Sequence, residues 1–99
     1  MYLIREIMHC KPGKAKEMVA KFKELSKAMK KQGYKTMRIY TDMSGERYWT
    51  VVAEWEIDSL DKMAEASRGA MMDEKVQKAM SDYHDFVEWG TREIYKVEL

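Results

Sequence analysis

Ninety-nine residues suffice for one domain, although a chain of this length withdraws only about 60–65% of its unfolded surface from water. Its 18 basic and 17 acidic residues leave a net charge of +1, which argues against a dedicated nucleic-acid or acidic-substrate binder. One cysteine, Cys10, permits no internal disulfide, and no apolar run approaches the roughly 18–20 residues that cross a bilayer. The N-terminus lacks a basic region followed by a long apolar run, so no signal peptide is expected. Pro is nearly absent and Gly sparse, so neither linker nor short-period repeat is expected within residues 1–99. These features point to a cytoplasmic, single-domain protein with no membrane contact.

The first strand runs from about Tyr2 to Cys10. Alternation puts Ile4, Glu6, Met8 and Cys10 on one side and Leu3, Arg5, Ile7 and His9 on the other. Lys11-Pro12-Gly13-Lys14 breaks it, and a helix follows from about Lys14 to Gln32, ending at Gly33. Ala15, Met18, Val19, Phe22, Leu25 and Met29 form its apolar stripe. Two strand-like runs, Tyr34–Met43 and Arg47–Ile57, flank Ser44-Gly45-Glu46 and read as a hairpin. Met37, Ile39, Val51, Ala53 and Trp55 face the helices in this reading.

Asp58 or Ser59 caps a short helix to about Ser67, with a break around Arg68-Gly69. A longer helix is predicted from about Asp73 to Trp89, stopped by Gly90, with Val76, Met80, Tyr83 and Val87 as its stripe and His84 on one flank. The last strand, Thr91 to Val97, turns Tyr95 to one face and Arg92 and Ile94 to the other. The order β-α-β-β-α-β gives an α+β, ferredoxin-like fold: a four-stranded antiparallel sheet, strands one and three central, with the helices on one face. The other face carries Leu3, Ile7, Tyr40, Tyr48, Val52 and Ile94 among Arg5, Arg38 and Glu54. That is too apolar for a small monomer, so a two-fold homodimer through this face is expected.

Lys11-Pro12-Gly13-Lys14 leading from a strand into an amphipathic helix resembles the dimeric α+β barrel superfamily. So does Glu54-Trp55-Glu56 shortly before Asp58-Ser59-Leu60. The nearest members in pattern are the antibiotic-biosynthesis monooxygenase-like and NIPSNAP-like small domains. The resemblance covers nearly the whole chain in element order, and its motifs are short. It implies a homodimer with facing sheets and, in members of known activity, a small-molecule pocket between each sheet and its own helices. Those members include cofactor-independent monooxygenases, haem-degrading enzymes, isomerases and dehydratases. Haem-degrading relatives line the pocket with a polar first-strand residue and a third-strand Trp, matched here by Glu6 and Trp55. They also carry a histidine soon after the third strand; residues 63–68 hold none, which argues against haem binding by that route.

Glu6 is the most informative side chain. A carboxylate facing the helices costs several kcal/mol unless it is paired or takes up a proton. It is either an acid/base of raised pKa in a pocket walled by Met8, Met37 and Trp55, or a residue satisfied by Tyr95, Tyr83 or a lysine. His84 is either its assistant in proton transfer or a half-exposed helix histidine. His84 also stands four residues before Glu88, a spacing that can share a metal on a helix, but no second cluster completes a site and none is expected. His9 and Cys10 face opposite ways in a strand, so they share no metal. Neither a Ser-His-Asp pattern nor a phosphate-cradling Gly loop occurs.

The ten methionines are adaptable pocket lining or ordinary core filler. Met71 and Met72 lie at the expected pocket mouth, and Tyr95 is placed on the pocket wall. The expectation is a homodimer binding a small apolar or aromatic molecule without a cofactor. If it is catalytic, the chemistry is cofactor-independent oxygen insertion or isomerisation with Glu6 as acid/base. The alternative is a non-catalytic ligand-binding or interaction dimer.

Overall fold

The computed structural model describes residues 1–45 and 47–99. Strand β1 spans Tyr2–Cys10, helix α1 Ala15–Lys31, β2 Arg38–Thr41, β3 Thr50–Ile57, α2 Leu60–Met71, α3 Glu74–Met80 and β4 Val87–Lys96. A 3-10 turn, Tyr83–Asp85, links α3 to β4. The strands form one antiparallel sheet in the order β2-β3-β1-β4, so β1 and β3 are central. The fold is the expected ferredoxin-like α+β arrangement. Among the described residues no helix is long and apolar enough to cross a membrane.

Local chemistry explains the turns into and out of α1. Pro12 and Gly13 occupy the two middle positions of a turn closed by the Lys14 N–H donating to the Lys11 carbonyl at 3.0 Å. Gly13 has φ of 79°, the conformation this turn asks of its third residue. At the far end of α1, Gly33 N–H donates to the Lys30 carbonyl and Tyr34 N–H to the Met29 carbonyl, a paired closure that satisfies the last turn. The stripe then buries Met18, Phe22 and Met29 against Ile4, Val51, Ala53 and Trp55 from the sheet.

Three expectations are corrected. The β2–β3 connection is longer than a tight hairpin, because Trp49 at φ 61° interrupts the extended run and gives its carbonyl to the Cys10 N–H at 2.9 Å. Asp42 Oδ1 takes the Thr50 N–H at 2.8 Å, so β3 starts at Thr50 and Tyr48 lies in the loop. Of the expected turn residues, Glu46 lies outside the described residues. The break in the second helical layer falls after Met71 rather than at Gly69, with Asp73 capping α3 through the Lys75 and Val76 N–H groups.

The long helix to Trp89 does not form. At the end of α3 the Ala79 carbonyl accepts from Lys21 Nζ at 2.5 Å and the Lys78 carbonyl from Ser81 Oγ at 2.8 Å. Lys21, almost fully buried, also donates to Asp82 Oδ1 at 2.5 Å and lies 5.0 Å from the Phe86 ring centre. One lysine therefore ties α1 to the end of α3. Its hydrogen bond, chiefly, holds the Asp82 pKa below the ordinary carboxylate value. A lowered carboxyl pKa contributes stability that is present above the unfolded value and lost as pH falls through the folded one. Lys21→Met is expected to lower stability by about 1–2 kcal/mol, since a bond to a charged donor is lost and the Ala79 carbonyl is left unpaired. Urea titrations down to acid pH should show the variant losing the Asp82-dependent part of the acid slope.

Candidate functional site

Register with β1 decides which side chains meet under the helices. Glu6 pairs with Ala53 on β3 and Arg92 on β4, Met8 with Val51 and Gly90, and Ile4 with Trp55 and Ile94. Arg92 and Ile94 therefore lie on the helix side, and Tyr95, opposite Leu3, lies on the open side. The expectation that Tyr95 walls the pocket is thus corrected, and so is the placement of Ile94 on the open face. Gly90 leaves room for Met8: a Cβ there would come within 2.7 Å of the Met8 sulfur.

A chamber of about 280 Å³ lies between the sheet and the helices. Phe22, Leu25 and Met29 from α1, Met37, Trp55, and Met71 from α2 form its apolar wall. Glu6, Met8, Met80, Tyr83 and Arg92 close one side, and Ser67 adds a hydroxyl. The same Glu6, Met8, Tyr83 and Arg92 border an outer cleft of about 420 Å³ that His84, Trp89 and Thr91 also line. Chamber and cleft adjoin across these four side chains. A third depression, about 570 Å³, is lined by Cys10, Pro12, Arg47, Tyr48 and Glu88 and is larger; among the described residues its only buried titratable group is the Cys10 thiol, whose pKa burial pushes up.

Arg92 Nε donates to Glu6 Oε1, an ion pair at the boundary of the chamber. The Glu6 side chain is 17% exposed and that of Arg92 51%. Burial pushes the Glu6 pKa above the ordinary carboxylate value, while the charge and hydrogen bond of Arg92 pull against it. Burial prevails: the carboxylate is recessed, and its partner is still half in water, where attraction is weakened. A carboxyl poised upward in this way is a proton acceptor closer in strength to biological substrates than a surface carboxylate.

Of the residues singled out in the sequence, Glu6, Met8, Met37, Trp55 and Met71 come together around the chamber. Met72 caps the end of α2, points largely into water and does not line it. His84 is exposed with its ring 4.0 Å from that of Tyr83, and it shares the outer cleft with Glu6, with no hydrogen bond joining them. Glu88 already belongs to β4, so the one-helix spacing between His84 and Glu88 is lost. Among the described residues no three His, Cys, Asp or Glu side chains gather as a metal site. Arg92, Phe22, Leu25, Met29, Ser67, Met80 and Tyr83 are lining residues not singled out as site residues beforehand. For Arg92 a signal existed: a carboxylate on the helix side of β1 calls for a cation, and β4 supplies one directly opposite.

This architecture matches solved structures over almost the whole chain. A NIPSNAP family protein from Agrobacterium tumefaciens superposes with a TM-score of 0.79 at 18% identity, covering 98% of this chain and 86% of that one. An uncharacterised NIPSNAP domain protein from Burkholderia xenovorans gives 0.77 at 17%, covering 98% and 94%. An antibiotic biosynthesis monooxygenase gives 0.70 at 12%, covering 98% of both chains. The fold is that of the NIPSNAP-domain and antibiotic biosynthesis monooxygenase proteins. No protein-family model matches the sequence, and no curated protein matches it. Within this NIPSNAP-like fold, the Glu6–Arg92 pair and the apolar chamber behind it are the features of this chain with the clearest chemistry.

Proposed function

We propose that this chain is a cytoplasmic homodimer that binds a small apolar or aromatic molecule in the chamber between sheet and helices. In this reading Glu6 is the acid/base of a cofactor-independent monooxygenase or isomerase. The observation that carries it is a recessed carboxylate of raised pKa at the edge of an apolar chamber, beside a fixed guanidinium. Glu6 removes a proton from an activated C–H or O–H, and Arg92 neutralises the anion left behind. An isomerase returns the proton to another atom of the same molecule. In an oxygenase the electron-rich anion itself reduces dioxygen; at a methylene carbon one oxygen atom becomes the product carbonyl and the other leaves as water. Trp55 offers a face on which an aromatic substrate stacks.

The experiment uses 1-naphthol and related hydroxylated aromatics as probes, with quenching of tryptophan fluorescence for binding and oxygen uptake and proton exchange for turnover. Glu6→Gln is expected to bind within a few-fold of wild type and to lose turnover by about 10²-fold or more. A Glu6→Gln protein that turns over like wild type removes the assignment. One observation favours a second reading, a non-catalytic ligand-binding or interaction dimer: Glu6 already has Arg92 as a partner. Binding with no turnover in either protein would support it.

A further inference from the structure

The net charge of +1 conceals a division along the chain. Between Lys11 and Arg38 stand ten basic residues and two acidic ones, Glu17 and Glu24; from Ile39 to Leu99 stand seven basic and fourteen acidic. Helix α1 concentrates the positive share. Lys16, Lys23, Lys27, Lys30 and Lys31 are all exposed, and at about 100° per residue they fall within an arc of about 100°, opposite the buried Met18, Phe22 and Met29. The stripe runs about 21 Å along the helix from Lys16 to Lys30, with Glu17 and Glu24 on one flank. Beyond that flank, Lys75 of α3 shares a shallow groove with Lys27, Lys30 and Lys31, and Lys78 is exposed on the next turn. Among the described residues Lys16, Lys23 and Lys30 have no carboxylate within ion-pair distance; Lys27 reaches Glu24 at 3.3 Å, and Lys31 only approaches Asp73 at 4.0 Å. Most of this charge is therefore left unanswered within the chain.

The composition of the stripe narrows what meets it. Ala20 is its one uncharged member, so it lacks the aromatic or large aliphatic anchor that centres a protein interface, where lysine is depleted. It has no arginine to fork onto a phosphate or a guanine, and no aromatic ring on which a base stacks. Lysine is a hydrated point charge on a flexible stem, suited to a diffuse negative field. Shape points the same way. Sheet and helices stack as two layers in a chain measuring 35 × 35 × 17 Å, so the helix layer forms a broad side and the lysine stripe is its outward crest. A plane of negative charge meets that crest along its whole length and reaches Lys75 and Lys78 beside it. We propose that the α1 lysine stripe docks this protein on an anionic lipid surface, by charge and without insertion. The expectation of no membrane contact follows from the missing apolar span, and attachment by charge needs no span. The stripe is complete in one copy and lies apart from the chamber, so the proposal stands independently of the homodimer and acid/base readings.

The test is co-sedimentation with vesicles of phosphatidylcholine containing about 30% phosphatidylserine, beside pure phosphatidylcholine vesicles, and anisotropy with a short labelled DNA duplex. Wild type should bind the anionic vesicles, ignore the neutral ones, and be released when salt shortens the Debye length from about 10 Å to about 3 Å. Each lysine near such a surface is worth about fivefold in affinity, from about 1 kcal/mol apiece. Lys23→Gln/Lys30→Gln is therefore expected to weaken binding about 25-fold. Lys62→Gln/Lys96→Gln removes the same charge from α2 and β4 and should change binding by no more than a few-fold. Lys23→Arg/Lys30→Arg, which keeps the charge, should bind like wild type. All four substituted positions are exposed, so the variants keep the fold. No binding to the anionic vesicles at low salt overturns the proposal. Equal losses in the two Gln pairs overturn the stripe as the site, leaving only attraction by total charge. A duplex held more tightly than the vesicles, through the same two lysines, overturns the lipid assignment in favour of nucleic acid.

Discussion

Phe22→Ala is expected to lower the stability of the protein by about 3–5 kcal/mol, the range for truncating a fully buried aromatic ring. Phe22 is 1% exposed and does two things: it belongs to the core under the sheet, and it walls the chamber. Whole domains of this size are held by about 5–15 kcal/mol, so the loss is a large share of the total. The void cannot collapse fully, because a chamber of about 280 Å³ already adjoins the ring and α1 is anchored at Lys21. The urea midpoint should fall with little change in slope. Ligand preference should move in parallel, the variant gaining affinity for molecules larger by about one benzene ring. Phe22→Leu, which keeps most of the volume, should lose much less. If Phe22→Ala loses as little as a surface substitution, the ring is not the shared wall described here.

Element order was legible in the sequence where a single period dominates. The Ala15 to Met29 stripe admits only a helix, and the Ile4-Glu6-Met8-Cys10 alternation assigned β1 its faces, both as the structure has them. Legibility ended where two periods compete. Val76, Met80, Tyr83 and Val87 recur at helical spacing, yet Val87 is the first residue of a strand. The carbonyls at the end of α3 accept from a lysine more than fifty residues away and from a local serine hydroxyl, and neither contact alters the hydrophobic pattern.

The site was half legible for a similar reason. Every chamber residue foreseen correctly on a strand belongs to β1, β3 or the approach to β2; in β2 and β3 one face is plainly more apolar, while in β1 both faces are mostly apolar with one charge each. In β4 both faces carry apolar and charged side chains, so Ile94 and Tyr95 are indistinguishable by alternation alone. Their sides follow from pairing with Ile4 and Leu3. The same ambiguity hid Arg92. Met71 and Met72 were both placed at the pocket mouth, in a break between helices; Met71 instead closes α2 and lines the chamber, while Met72 turns outward at the cap, a difference of about 100° that sequence proximity does not report.

Arg92→Met is the sharpest test of the electrostatics at the chamber. Arg92 supplies both influences that lower the Glu6 pKa, and burial alone remains without it. The Glu6 pKa should therefore climb further above the ordinary value. A carboxyl whose folded pKa is raised contributes stability that is fully present below its unfolded value and lost as pH rises through the folded one. Wild type already carries this loss toward neutral pH, opposite in sign to that of Asp82, and Arg92→Met should deepen it and extend it to higher pH. At neutral pH the expected cost is about 1–3 kcal/mol, kept below that of a wholly buried pair because Arg92 is half exposed. In acid, where Glu6 is protonated in both proteins, most of the difference should vanish. Urea titrations of wild type, Arg92→Met, Glu6→Gln and the double variant across the acid-to-neutral range give the coupling directly. In the Glu6→Gln background Arg92→Met should cost little at any pH, because no buried carboxylate is left to strand. A cost that is equal at every pH and unchanged by Glu6→Gln would mean that Arg92 only packs against the chamber, and the tuned acid/base would lose its physical basis.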